Sequence, residues 1–323
     1  MMRRFQDNKR LWAIAVLLLA LGVLPLLLNT YYISVLIIIG IHSMLTVGLC
    51  LLMGYAGQVS LGHAAFYGLG AFVSGILSAT YGVNPWLAML AAMVVTGALA
   101  YGVSFPIFQL RGNYLAMATL GFGIIMWVAF RELDQFTGGP SGLPGVPSLS
   151  IGGLKFNTDF KYYYLVWIAT IAILLLSQNI VNSRTGRALR SIQSNEEAAR
   201  SIGIDVARFK IKVFVLAAVY ASLAGSLYAH YLNFVGPESF GFLFSVRLVL
   251  MAVVGGLASI WGAIFGTATV KILGEVLHPF GDLDIIIFGF LLIVIMVFMP
   301  QGLTRGIGRL YMRVRSRTQG PQR

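Results

Sequence analysis

Gly54-Tyr55-Ala56-Gly57-Gln58-Val59-Ser60-Leu61-Gly62-His63-Ala64-Ala65-Phe66-Tyr67-Gly68-Leu69-Gly70-Ala71 joins two apolar runs, 32–53 and 63–80, each long enough to cross or nearly cross a bilayer. The glycines at 54, 57, 62, 68 and 70 work against a regular helix, because glycine is about 1 kcal/mol worse than alanine in a helix interior. In hydrocarbon every backbone amide and carbonyl must still be paired. An interrupted helix therefore survives only inside protein or along a cavity. Gln58, Ser60 and His63 place polar side chains at the interruption. Interrupted, polar-lined crossing segments are expected along the substrate path of a transporter. The structural reading of Gly68 and Gly70 is close helix packing, and that of His63 is a hydrogen-bonded core residue.

The rest of the chain is read from this membrane setting. Apolar residues make up 58% of its 323 positions and charged residues 11%, with a mean hydropathy of +0.83. A soluble domain carries about 25% charged residues, and no soluble fold of this size hides so much apolar surface. The solvent for most of the chain is lipid. About ten crossing helices are predicted, over 11–28, 32–53, 63–80, 86–108, 113–131, 162–180, 212–234, 243–257, 260–275 and 285–300. They form one membrane domain over 1–323. No small-x-small cleavage site follows Leu28, so the first run is read as a retained helix and not a signal peptide.

Charge placement orients the chain. With ten spans and a cytoplasmic N-terminus, the inside segments carry 18 of the 23 Lys and Arg residues: four in 3–10, Arg111, seven in 184–212 and six in 305–323. The outside segments carry Arg131, Lys155 and Lys161, and Arg247 and Lys271 fall within spans. The positive-inside rule then fits both termini and both long loops, an internal one at about 181–211 and an external one at about 132–161. The net charge of +12 is accordingly topological, facing the cytoplasm and anionic lipid, with no nucleic-acid partner implied.

The internal loop is rich in arginine. Ser194 and Glu197 have capping-box spacing, Ala198, Ala199, Arg200 and Ser201 favour a short helix, and Gly203 is placed to end it. A helix of about two turns is unstable alone in water and needs a partner surface. The external loop, with Thr137-Gly138-Gly139-Pro140-Ser141-Gly142-Leu143-Pro144, is turn chemistry. It reads as a docking surface for a binding protein, as a gate, or as a compact cap on the bundle.

Chemistry within the chain is largely excluded. There is no Gly-Lys dipeptide and hence no Walker A loop, so any ATP-driven work belongs to a separate chain. Four scattered histidines make no metal set, and no hydrolase or metalloprotease signature occurs. Cys50, the single cysteine, reads as a buried small hydrophobe. The acids nearest the spans, Glu132, Glu275 and Asp284, all lie near span ends, which gives little support to an ion-coupled secondary transporter.

Five motifs in order carry a family resemblance. Gly57-Gln58-Val59-Ser60-Leu61-Gly62-His63-Ala64-Ala65-Phe66 comes first, followed by 110–123 from Leu110-Arg111-Gly112-Asn113-Tyr114, then Thr137-Gly138-Gly139-Pro140-Ser141-Gly142-Leu143. Gly186-Arg187-Ala188-Leu189-Arg190 through Gly203-Ile204-Asp205 and Gly255-Gly256-Leu257-Ala258-Ser259-Ile260-Trp261-Gly262-Ala263 complete the set. Over about 35–305 the chain resembles the LivM-type permeases of branched-chain amino acid ABC importers. One departure is Phe66-Tyr67, in a position where the family is richer in phenylalanine.

The resemblance implies a type II ABC importer-like, all-α fold with inverted repeats relating spans two to five with seven to ten. It implies a non-enzymatic subunit of a bacterial inner-membrane importer for hydrophobic, branched-chain amino acids, with urea or short-chain amides as the alternative cargo. It also implies a second related permease, two cytoplasmic ATPases that hold ATP-Mg, and a periplasmic substrate-binding protein, with no cofactor on this chain. The expected pathway residues are Gln58, Ser60, His63, Thr119 and Phe122. The expected ATPase-coupling residues are Glu197, Ala198, Ala199 and Gly203.

Overall fold

The computed structural model describes residues 22, 24–26, 28–110, 112–151, 154–277 and 289–290. The first and tenth expected spans, 11–28 and 285–300, lie almost wholly outside the described residues, as do Arg111 and the basic segments at 3–10 and 305–323. The eight spans expected between them are all helices. α1 covers Thr30–Leu49 and continues as a π-helix over Cys50–Tyr55; α2 covers His63–Ala79, α3 Pro85–Ile107, α4 Asn113–Glu132 and α5 Asp159–Asn182. The internal loop contains α6 (Arg184–Ser194) and α7 (Glu196–Ser201), and α8 (Val206–Leu232), α9 (Phe242–Gly255) and α10 (Ile260–Leu277) follow. Among the described residues six helices are long and apolar enough to cross a membrane, while α2 with 17 residues and α9 with 14 are shorter. α8 starts six residues earlier than the sequence suggested, because Asp205 caps it by accepting from the Arg208 amide (3.1 Å). Its 27 residues rise about 40 Å, more than the roughly 30 Å of hydrocarbon, so it is long enough to reach past the bilayer core.

α1 is the central helix. Its hydrophobic window is 83% buried, against 17% for α4, whose Tyr114, Met117 and Ile125 face outward. Such outward apolar faces are stable in lipid and would be costly in water. Inside, association depends on close packing and shared hydrogen bonds, since lipid offers no hydrophobic drive between helices. α2 crosses α8 where two glycines meet backbone. A β-carbon at Gly70 would lie 2.3 Å from the Ser222 carbonyl oxygen, and one at Gly225 would lie 2.0 Å from that of Tyr67. Buried hydroxyls add interhelical links: Ser226 Oγ donates to the Gly70 carbonyl (3.1 Å), Thr96 Oγ1 to Ser222 Oγ (3.0 Å) and Thr267 Oγ1 to Thr46 Oγ1 (2.9 Å). Gly225→Ala is therefore expected to force α2 and α8 apart, costing about 1–3 kcal/mol as overpacking does. The check is thermal unfolding in nanodiscs: the variant unfolds earlier than the parent, whereas an alanine at Gly102, which meets open space, leaves the midpoint in place.

The described residues of the Gly- and Pro-rich segment, 132–151 and 154–158, form a folded cap over the ends of α2, α3 and α8. β1 (Leu143–Pro144) pairs antiparallel with β4 (Phe234–Val235), and β2 (Ser150–Ile151) with β3 (Leu154–Lys155). Val146 and Leu149 are fully buried beneath it. His230 anchors it: the Pro147 carbonyl can only accept, so Nδ1 donates to it (2.7 Å), leaving Nε2 to accept from Ser74 Oγ (2.9 Å). Trp86 Nε1 donates to the Ser150 carbonyl (2.8 Å).

Candidate functional site

At the opposite end of the bundle the chain breaks twice, and the two breaks meet. α1 loosens into the π-helix at Cys50–Tyr55, a geometry often found at functional positions. It then leaves helical structure until Gly62. The backbone of the break stays paired, with the Ala56 amide donating to the Leu51 carbonyl (3.2 Å) and the Gln58 amide to that of Leu52 (3.0 Å). The second break, 256–259, separates α9 from α10. A β-carbon at Gly54 would fall 1.7 Å from the Leu257 carbonyl oxygen, and Tyr55 Oη donates to the Ala258 carbonyl (2.9 Å). Irregular backbone thus covers irregular backbone, as a lipid setting requires.

Four of the five expected pathway residues gather where this break packs on α4. Thr119 Oγ1 accepts from the Leu61 amide (3.0 Å), and a β-carbon at Gly62 would lie 2.0 Å from the Thr119 carbonyl oxygen. Phe122 packs on Phe66, their ring centroids 5.2 Å apart. Ser60 Oγ and both ring nitrogens of His63 are buried with no partner among the described residues. An unpaired buried polar atom costs about 1–3 kcal/mol, which marks this as a strained, polar spot in an apolar bundle. Gln58 points elsewhere, toward the elbow formed by α6 and α7.

That elbow is built by local capping. Ser183 Oγ accepts from the Thr185 amide (3.1 Å) to start α6. The expected capping box at Ser194 and Glu197 is not formed, and the N-cap falls one residue later. Ser194 still belongs to α6, its hydroxyl donating back to the Arg190 carbonyl (3.0 Å), and Asn195 caps α7 by accepting from the amides of Glu197 (2.9 Å) and Ala198 (3.0 Å). Gly203 ends α7 as the sequence suggested. At φ +83 its amide donates to the Arg200 carbonyl (2.9 Å), and the Ile204 amide donates to that of Ala199 (3.0 Å). This is the paired-bond glycine cap that favours a left-handed residue. Ile192, Ala199 and Val206 form a small apolar seat that fastens α7 to α6 and α8. Ala199 is 0% exposed, so its methyl serves that seat and is not on the free face. Glu197, Ala198 and Gly203 are exposed, with Ile202 beside them at 71% exposure. Arg190 is exposed but folds back on the junction of α5 and α6, its guanidinium donating to the Val181 carbonyl (3.0 Å) and the Gly186 carbonyl (3.2 Å).

One constellation was not visible in residue order. Glu196, the first residue of α7, accepts from Lys210 Nζ on α8 and from Gln58 Nε2 (3.4 Å) on the break, with Arg200 Nη2 at 4.0 Å. The Lys210 side chain is 7% exposed. Lys210 is the buried partner and Glu196 is partly exposed, so the pair adds little net stability, but removing Glu196 would strand a buried ammonium. Next to the pair lies a cavity of about 310 Å³, bounded by Gln58, Asn113, Glu196 and Lys210 and by the apolar Val59 and Leu115. In the sequence Lys210 was legible only as one of several inside charges.

Outward apolar faces rule out water as the solvent of this bundle, and a helix broken at polar residues serves no passive anchor. The class these features define is a multi-pass membrane permease. The sequence profile of the family described as branched-chain amino acid transport system, permease component, matches residues 31–300, and the chain belongs to that family. The chain is 29% identical over 319 residues to the high-affinity branched-chain amino acid transport system permease protein LivM of Salmonella typhimurium, covering 92% of this chain and 75% of that protein, and matches the Escherichia coli LivM equally. It is 26% identical over 281 residues to the permease protein LivH of Escherichia coli, covering 81% of this chain and 90% of that one. Among solved structures, PsaBC from Streptococcus pneumoniae in complex with Fab aligns with a TM-score of 0.41 at 18% identity, over 81% of this chain and 89% of that chain.

Proposed function

We propose that this chain is the membrane subunit of an ATP-driven importer that moves branched-chain amino acids inward across a bacterial inner membrane. The observation that carries the reading is α7: a six-residue helix, too short to persist alone, is capped at both ends and presents Glu197, Ala198 and Ile202 to the outside. Its free face is the docking surface for a cytoplasmic ATPase, and Ala199 and Gly203 hold that face in shape. ATP and Mg²⁺ stay on a pair of such ATPases. The family relatives named LivM and LivH support a second, related permease beside this one, and the importer class supports a binding protein on the outer side. The elbow and both termini face the cytoplasm, the chain crosses ten times as one domain, and the two halves are inverted repeats. Substrate passes the break at Ser60, His63, Thr119 and Phe122, with Gln58 at its inner end.

The test is uptake of labelled leucine, isoleucine and valine in proteoliposomes holding the full assembly. Uptake is expected only with lumen-facing ATPases able to hydrolyse ATP, and labelled urea or acetamide is expected to stay outside. Uptake by this chain without any ATPase, or of amides in preference to amino acids, overturns the reading.

A further inference from the structure

The cavity beside Glu196 has a chemistry that the pathway reading does not use. It offers an ammonium (Lys210), a carboxylate (Glu196), two amides (Gln58 and Asn113) and an apolar wall (Val59, Leu115 and Ala116) within about 310 Å³. That volume lies at the small end of ligand sites. Lys210 is buried, and an ammonium has three donors; among the described residues its one hydrogen-bond acceptor is Glu196. Glu196 is only partly covered and accepts from two donors, Lys210 and Gln58, with Arg200 beyond hydrogen-bond distance at 4.0 Å, so its oxygens also have capacity left. Among the described residues the site has one fixed cation, one fixed anion and an aliphatic wall, which is complementary to a molecule with a carboxylate, an ammonium and an aliphatic side chain on one carbon.

We propose that this cavity is a release site for a free aliphatic α-amino acid at the inner mouth of the permease. The carboxylate sits on Lys210 Nζ and the ammonium on Glu196, while the side chain lies on Val59, Leu115 and Ala116. The Lys210–Glu196 pair need not open, since each partner contributes unused hydrogen-bonding capacity. The proposal rests on the import of amino acids argued above. It adds a consequence: Glu196 is the first residue of α7, so the occupied site touches the docking helix directly, and the Gln58 link ties it to the broken span.

The test is ligand-observed saturation-transfer NMR on the complete assembly in phosphatidylcholine nanodiscs, without binding protein. This lipid is chosen because its quaternary ammonium donates no hydrogen bond. L-leucine is expected to bind saturably. Leucinamide, which lacks the carboxylate, and 4-methylpentanoate, which lacks the ammonium, are expected to bind at least tenfold more weakly to the unaltered protein. Lys210→Met and Glu196→Gln are each expected to weaken leucine at least tenfold, and Lys210→Arg to retain it. Equal binding of all three molecules to the unaltered protein overturns the site without any variant having to fold, and so does undiminished leucine binding to folded Lys210→Met. The two readings fail separately. If leucine uptake is ATP-driven but the cavity ignores ligand charge, the site is wrong and the import function stands. If uptake itself is absent, the import function falls first.

Discussion

Gly203→Pro is expected to abolish substrate-stimulated ATP hydrolysis by the assembled importer while leaving the chain inserted in the membrane. Gly203 sits at φ +83, and its amide donates to the Arg200 carbonyl. Proline locks φ near −65° and has no amide hydrogen, so it removes both the geometry and the bond. α7 has six residues and its own caps are most of what shapes it. The lost amide hydrogen bond costs about 0.5–1.5 kcal/mol, and the chain must also rebuild the helix end around a φ that proline cannot adopt. That exceeds what a six-residue helix can absorb. The effect reaches the spans only through the first turns of α8, where Val206 shares the seat with Ala199 and Lys210 meets Glu196. Stimulated hydrolysis is expected to fall to the unstimulated level. Gly203→Ala keeps the amide and bears only about 1–2 kcal/mol of left-handed strain, so it is expected to keep part of the stimulation. Full stimulation in Gly203→Pro would mean that α7 is not the coupling element.

The second large effect is expected at Ala198, and the contrast with its neighbour makes it specific. Ala198 is exposed on the free face of α7, and Ala199 is fully buried in the seat with Ile192 and Val206. Ala198→Trp adds a large side chain where this chain has nothing to displace, and so leaves thermal unfolding unchanged. In the assembly the same indole meets the ATPase. Overpacking costs about 1–3 kcal/mol in a core that can adjust, and a rigid interface adjusts less. ATPase affinity is therefore expected to drop by about two orders of magnitude, with each 1.4 kcal/mol worth tenfold. Ala199→Trp is expected to behave in the opposite way, lowering the unfolding midpoint because it breaks the seat. Co-purification of the ATPase with each variant, set beside thermal unfolding of the isolated chain, separates the two.

Much of the fold was legible because lipid is a severe filter. A segment such as 86–108 or 113–131 has to be about 20 apolar residues long, and the structure places helices at Pro85–Ile107 and Asn113–Glu132. Gly203 was legible because a left-handed cap has few substitutes. The cap at the other end of α7 was not. Ser194 and Asn195 are both good N-cap residues, and the choice fell to Asn195 because burial of Ile192 holds α6 in helix through Ser194. Nor did the sequence disclose that Ala199 faces its own chain, which depends on where Val206 arrives after the Gly203 turn. Gln58 shows the same limit. Its place at the break was readable, but its contact with Glu196 spans 138 positions and follows from how α7 settles on α8. Charge type locates Lys210 on the inner side and says nothing about which acid it meets.

The central claim is that the free face of α7 lies at the cytoplasmic surface, seated on a separate ATPase. Ile202→Cys tests it most directly. Ile202 is exposed, and the chain's one native cysteine, Cys50, is buried and silent to reagent. A membrane-impermeant maleimide should label this variant in inside-out vesicles stripped of peripheral protein. Labelling should be lost when the ATPase is added back, and absent in right-side-out vesicles. Labelling from the outer side, or labelling that the returning ATPase leaves unchanged, would contradict the account.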